Sequence, residues 1–343
     1  MRVAVWNSAF SRDGPGILLR DILDAKSDDI ERGIAMIDRV DPDILLLANF
    51  DYDFGLAAAR AFSARLASEY PYILALRPNS GMPSGRDLDG DGRLGGPGDA
   101  HGYGAFSGQG GMALFSRFPP GVDRVVDLSA MLWVDLPGNL MTAEERQGAA
   151  AELRLSSVGH WIVPVEIAPD KDLRVLVWHA GTPAFDGPTA RNARRNHDEN
   201  ALWSGLLDSE LSREPPEGAF VLLGAANLDP RDGLGRRQAI RALLSDPRLQ
   251  DPRPASRGAG AASREQAGPN PNHQGDPSLD TADFRDSGGP GNLRVEYVLP
   301  SRALEVVDAG VFWPAPDEPD HAIMSGRDPK ISWHGIVWVD VAR

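Results

Sequence analysis

An α/β sandwich, two mixed β-sheets packed face to face with helices outside, is predicted by three features of the 343-residue sequence. Short apolar runs such as Val3–Trp6, Ile44–Leu47 and Phe220–Leu223 have the length of fully buried strands. Asp28–Val40 carries Ile30, Ile34, Ile37 and Val40 at helical spacing, between two such runs. The runs Val163–Ile167 and Leu173–Trp178 follow one another with no room for a helix, so strands adjacent in sequence mix with strands joined by helices.

Taken in order, Val3–Trp6 is a strand ending at Asn7, with a polar turn, Ser11 to Pro15, behind it. Asp41-Pro42 stops the helix Asp28–Val40, and Ile44–Leu47 leads to Asn49 and Asp51-Tyr52-Asp53. Gly55–Glu69 is Ala-rich and helical, and Tyr72–Leu76 is a strand. A glycine-rich excursion fills 78–111, after which Gly111–Arg117 returns as a strand. Ala151–Leu155 reads as a further strand, His179 closes Leu173–Trp178, and Arg191–Leu206 and Arg236–Leu244 are helices. The stretch 251–292, dominated by Pro, Gly, Ser and Asn, is expected as a long, partly disordered loop. Leu293–Leu299, Leu304–Phe312 and Gly335–Val341 close the chain, which is expected to be one domain over 1–343.

Composition narrows the function. Lys plus Arg number 35 against 49 Asp plus Glu, giving a net charge of −14, which repels a phosphate backbone and disfavours duplex DNA. With no cysteine there is no disulfide, thiol nucleophile or thiolate metal site. No run approaches the roughly 18 apolar residues of a membrane span. The amino terminus enters strand pattern at once, so the chain is expected to be cytoplasmic as written, or secreted if a signal peptide was removed, and monomeric.

Polar residues recur where apolar strands end: Asn7, Asn49, His179, Asn227 and His334. Layered α/β folds place chemistry at such positions. Beside them stand the phrases Phe50-Asp-Tyr-Asp53, Gly108-Gln-Gly-Gly-Met-Ala113, Phe185-Asp-Gly-Pro188, Arg195-Asn-His-Asp-Glu199, Asp280-Thr-Ala-Asp-Phe284 and Arg294-Val-Glu-Tyr-Val-Leu-Pro300. With them, the chain resembles the endonuclease/exonuclease/phosphatase superfamily from end to end. The resemblance implies a four-layered α/β sandwich and Mg²⁺- or Mn²⁺-assisted hydrolysis of a phosphoester in a phosphorylated small molecule or nucleic acid.

By the same resemblance Asn7 and Asn49 stand at metal positions, and His179, Asn227 and His334 are retained catalytic positions. The acids are replaced. Asn49 stands where the family has its metal-binding Glu, Ala225 where it has the Asp of Gly-Asp-x-Asn, and Trp333 where an Asp precedes the final His. Mg²⁺ prefers anionic oxygen and a general base must titrate, so these changes are expected to cost several orders of magnitude in rate. His334 is thereby expected to lose the carboxylate that orients its ring, while Glu296 is a candidate metal ligand. Two outcomes follow: a weakly active or inactive phosphoesterase, or a non-catalytic module that binds a phosphorylated ligand, calcium or a protein.

Two smaller features stand apart. Asp87, Asp89 and Asp91, followed by Gly92, have the spacing that opens a calcium loop, but Gly98 stands where the closing Glu is required. Ca²⁺ or a plain acidic turn are equal readings of that stretch. Arg12, Arg191 and Arg195 follow strand-end polar residues and are candidate phosphate contacts, with a salt-bridged surface as the alternative.

Overall fold

The computed structural model describes residues 1–324 and 333–342. In chain order its strands are β1 (Arg2–Phe10), β2 (Ile44–Phe50), β3 (Tyr72–Leu74), β4 (Gly111–Ser116), β5 (Val126–Asp127), β6 (Gly159–Ala168) and β7 (Lys171–His179). They continue as β8 (Phe220–Ala225), β9 (Ala282–Asp283), β10 (Asn292–Leu293), β11 (Glu296–Pro300), β12 (Val306–Phe312), β13 (Trp333–His334) and β14 (Ile336–Val341). One sheet runs β12-β14-β1-β2-β4-β3, the other β11-β8-β7-β6-β5, and β10-β9-β13 form a small third sheet.

Each large sheet has one parallel pair near its centre. β1 and β2 pair in parallel, Val3 opposite Ile44, across the helices Ile17–Asp24 and Asp28–Val40. β7 and β8 pair in parallel, Val175 opposite Val221, across the helix Arg191–Leu207. Parallel neighbours need such a crossover, and the crossover helix covers the outer face of its sheet. The inner faces meet in a dry core in which Val3, Val5, Ile44 and Leu46 belong to one cluster with Val175, Val177, Val221 and Leu223. Outside, Ala4, Leu45 and Leu47 pack under Ile30, Ile34 and Ile37, and Leu176, Trp178 and Leu222 under Leu202, Trp203 and Leu206. The four layers are helix, sheet, sheet, helix.

Gly224 breaks the apolar run of β8 for a steric reason. A Cβ there would stand 2.1 Å from the Trp178 carbonyl oxygen, so only glycine lets the neighbouring strand approach.

Elements departed from expectation where tertiary bonds outweighed local pattern. Ala151–Leu155 is a 3₁₀ turn, Ala149–Glu152, running into a loop. Leu153 and Leu155 are buried with period 2, but the strand partner of their backbones is the short stretch 131–133, through the Trp133 and Leu155 amides. That gives a bridge and no ladder. The helix within Gly55–Glu69 covers only Ala57–Ser63: Asp53 caps its start, and Asp38 and Asp41 hold Ala67 and Ser68 off the helical path. The stretch 251–292 contains the helix Arg257–Glu265, capped by Ser256, with Gly258 close against Trp313. Its Gly- and Ala-rich face lacks the large apolar residues that announce a helix in sequence.

Beneath the first sheet's helices lies a connected aromatic cluster. Phe10, Phe50, Phe62, Phe115 and Tyr70 meet edge to face at centroid distances of 5.3 to 6.4 Å. Phe115→Ala is expected to destabilise the chain by about 3–5 kcal/mol, measured by urea unfolding, because the rings around it are fully packed and collapse poorly.

Candidate functional site

Because β1, β2, β7 and β8 run in parallel pairs, their carboxyl ends meet at one rim of the sandwich. A cavity of about 920 Å³ opens there, lined by Asn7, Asn49, His179, Asn227 and His334. All five strand-end residues singled out in the sequence are therefore brought together.

On the first sheet, Asn7 is buried and its Oδ1 has no hydrogen-bond partner. Asn49 sits at φ 57, a left-handed conformation that Asn tolerates better than most residues. Asp51 does not face the cavity as a free acid. It accepts hydrogen bonds from the Arg12 amide at 2.9 Å and the Gly110 amide at 2.8 Å, tying together two loops of the rim.

On the second sheet, register decides which residues are neighbours. His179 is paired with Ala225, and Ala225 with Glu296, so the three lie in one row across β7, β8 and β11. They continue the inward face of Val177, Leu223 and Val298. With Ala in the middle, the Nδ1 of His179 is buried and unpartnered. Burial, reinforced by the neighbouring His334, pushes the His179 imidazole down to about 4, so the ring is neutral at neutral pH. Asn227, at φ 50, donates from Nδ2 to the Ala180 carbonyl at 2.7 Å.

His334 does have an orienting carboxylate, contrary to expectation. Glu296, fully buried at 0 % exposure, places Oε1 2.7 Å from the His334 Nδ1. Its other oxygen accepts from the Thr281 hydroxyl at 2.5 Å. That hydroxyl already accepts from the Val295 and Glu296 amides at 3.0 and 3.2 Å, so its one proton is left for Glu296. Both Glu296 oxygens are thereby bonded within the protein, to His334 and Thr281, and Glu296 is not among the residues that line the cavity. The extra methylene of Glu over Asp reaches a ring that the sequence alone leaves without a partner. Trp333 packs edge to face on Trp313 at 4.6 Å.

The candidate arginines are anchored in the protein. Arg12 holds Asp21 and Asp29 and does not line the cavity. Arg195, buried, donates to the carbonyls of Leu155, His101, Arg154 and Ser156. Arg191 lines the cavity but is tied to Glu145 and to the Leu88 carbonyl. Sequence reasoning missed Glu199, one helical turn after Arg195. Burial raises its carboxyl to about 7, and its oxygens accept from the Ser157 and Gly181 amides at 2.5 and 2.8 Å, clamping two cavity loops.

A divalent cation, which the resemblance implies, does not fit between Asn7 and Asn49. Both offer neutral amide oxygens, whereas Mg²⁺ and Mn²⁺ are held chiefly by carboxylates. Among the described residues, the group of three acids close enough to share an ion is Asp87, Asp89 and Asp99, within 4.8 Å of one another. Asp99 replaces the expected Asp91, which instead accepts from the Arg93 amide. Asp87 and Asp99 cap the turns of their own loop through Gly90, Gly92, Leu88 and Gly95 amides. Asp89 reaches the cavity rim.

Residues 6–332 match the sequence profile of the Endonuclease/Exonuclease/phosphatase family. The chain belongs to that family. No curated protein matches it. Among solved structures it is similar to an endonuclease/exonuclease/phosphatase from Beutenbergia cavernae, at 18 % identity and a TM-score of 0.56, over 99 % of this chain and 71 % of that one. It is also similar to a family protein from Leptotrichia buccalis, at 12 % identity and 0.53 over the whole of both chains. A third is the 3'-5' exonuclease NExo from Neisseria meningitidis, at 17 % identity and 0.50 over 99 % of each. At these identities the likeness is one of fold. Among the described residues, no helix is long and apolar enough to cross a membrane.

Two outcomes are expected at this family site. Glu296→Ala will lower stability by about 3–5 kcal/mol in denaturant unfolding, since it strands the His334 nitrogen and the Thr281 hydroxyl, whereas Glu296→Asp will cost less. In an NMR pH titration, the His179 ring will change protonation near pH 4, well below an ordinary histidine. As pH falls from about 6.5 towards 4, the unfolded chain takes up a proton that folded His179 refuses, so His179 lowers stability across that window.

Proposed function

We propose that this chain is a family member whose phosphoester hydrolysis is lost or very weak, and whose cleft works as a binding site. The observation that carries the reading is the row His179–Ala225–Glu296. The middle position has a methyl group where hydrolysis calls for an acid, and the one carboxylate beside it is already bonded to His334 and Thr281. Asn49 at the metal position adds a second loss. What remains at the rim binds and orients: Asn7, Asn49 and Asn227 supply amides, His179 a neutral imidazole, and His334 a ring fixed through Nδ1. The row has no free carboxylate to take a proton from water, no anionic pair to hold a cation, and in His179 an imidazole that burial leaves only weakly basic, at about 4.

The test compares the natural chain with Asn49→Glu/Ala225→Asp on phosphodiesters and phosphomonoesters with Mg²⁺ or Mn²⁺. Trp333 stays, because Glu296 already orients His334. The natural chain is expected to show turnover at least about 100-fold below the double variant, by the usual worth of one catalytic group. Equal, EDTA-sensitive turnover by the natural chain would refute the reading.

A further inference from the structure

We propose that the cleft takes a neutral polyhydroxylated ligand, a sugar or short oligosaccharide, held by amide and hydroxyl groups on its floor and aromatic rings at its rim. This rests on the reading above that the Asn7–Asn49 position works without a divalent cation. The floor is built mostly of uncharged polar residues, Asn7, Asn49, Asn227, Gln109, Ser11 and Ser80. Gln109 is bonded at both ends of its amide, and Ser80 and Asn227 each donate to a backbone carbonyl, which leaves their remaining acceptor positions and the amides of Asn7 and Asn49 for a ligand. Such a floor matches hydroxyls, each of which donates once and accepts twice, better than it matches an anion.

Two buried polar atoms in this lining lack partners, Asn7 Oδ1 and His179 Nδ1. Both atoms are shielded as the side chains stand, so each meets a ligand group only when Asn7 or His179 turns towards the cavity. Oδ1 needs a donor, and a neutral imidazole nitrogen takes either a donor or an acceptor according to its tautomer. Hydroxyls serve both.

Charge points the same way. Among the described residues, the lining's guanidiniums, Arg191 and Arg195, are anchored to protein acceptors, and the acids Asp89 and Glu199 also line the cavity. A phosphate group is held best by a guanidinium fork free to close on it. At the rim, Tyr103 is 80 % exposed and Phe185 92 % exposed, and both line the cavity. Phe185 also sits at φ 59, a costly backbone conformation for an aromatic residue. Exposed rings beside a polar floor suit the C–H faces of a sugar, which lose apolar surface to water when they stack. The volume, about 920 Å³, admits a disaccharide.

The experiment is calorimetric titration of the full chain, in EDTA, with cellobiose, maltose and mannobiose, beside glucose 6-phosphate and inorganic phosphate. At least one neutral disaccharide is expected to bind with Kd at or below about 1 mM. Tyr103→Ala and Phe185→Ala, both at exposed positions, should each weaken it about five- to tenfold. Silence from all neutral sugars overturns the proposal, whether or not glucose 6-phosphate or phosphate binds. Sugar binding untouched by both ring substitutions overturns its placement in this cleft. Turnover of phosphoesters by the natural chain is a separate result that sinks the metal-free reading and is scored on its own.

Discussion

The dry contact between the two sheets is the constraint on which the rest of this molecule depends. Valine and leucine side chains from β1 and β2 pack on those of β7 and β8, and burial of such a face is the largest favourable contribution in a domain of this size. Once the two parallel pairs are pressed together, their carboxyl ends have only one rim to share. Asn7, Asn49, His179 and Asn227 reach the cleft because of what their strands bury beneath them.

The same core sets the electrostatics of the cleft. A residue at the end of an inward-facing row, such as His179 or Glu296, is desolvated by the valines and leucines behind it. His179 is then cheapest as a neutral ring, and Glu296 is tolerable because it accepts from Thr281 and pairs with His334. Ala225, between them, adds no charge to that row. Among the described residues, charges beside the cleft are likewise engaged: Arg195 on four carbonyls, Arg194 on Glu145, and Glu199 on two amides. The result, among the described residues, is a polar floor whose charges are bonded within the protein.

Much of this was legible in the amino-acid sequence, for identifiable reasons. Buried strands and the helix Asp28–Val40 announce themselves because burial imposes period and composition on neighbouring residues. Polar residues at strand ends announced the rim. The strand expected at Ala151–Leu155 and the helix missed at Arg257–Glu265 show the limit. There the deciding contacts, Trp133 on Leu153 and Trp313 on Gly258, come from residues far along the chain.

By itself, the sequence determined the layered α/β class and the polar residues at the strand ends, because those depend on side-chain type and local period. Only the tertiary structure decided which groups meet. It gave His334 its carboxylate from Glu296, 38 residues earlier in the chain, and exchanged Asp91 for Asp99 in the acidic loop. It also turned Arg12 and Arg195 from candidate ligand contacts into internal clamps. Hydrogen bonds and ion pairs are satisfied by whichever partner the packed backbone brings within about 3 Å, and sequence spacing does not encode that distance.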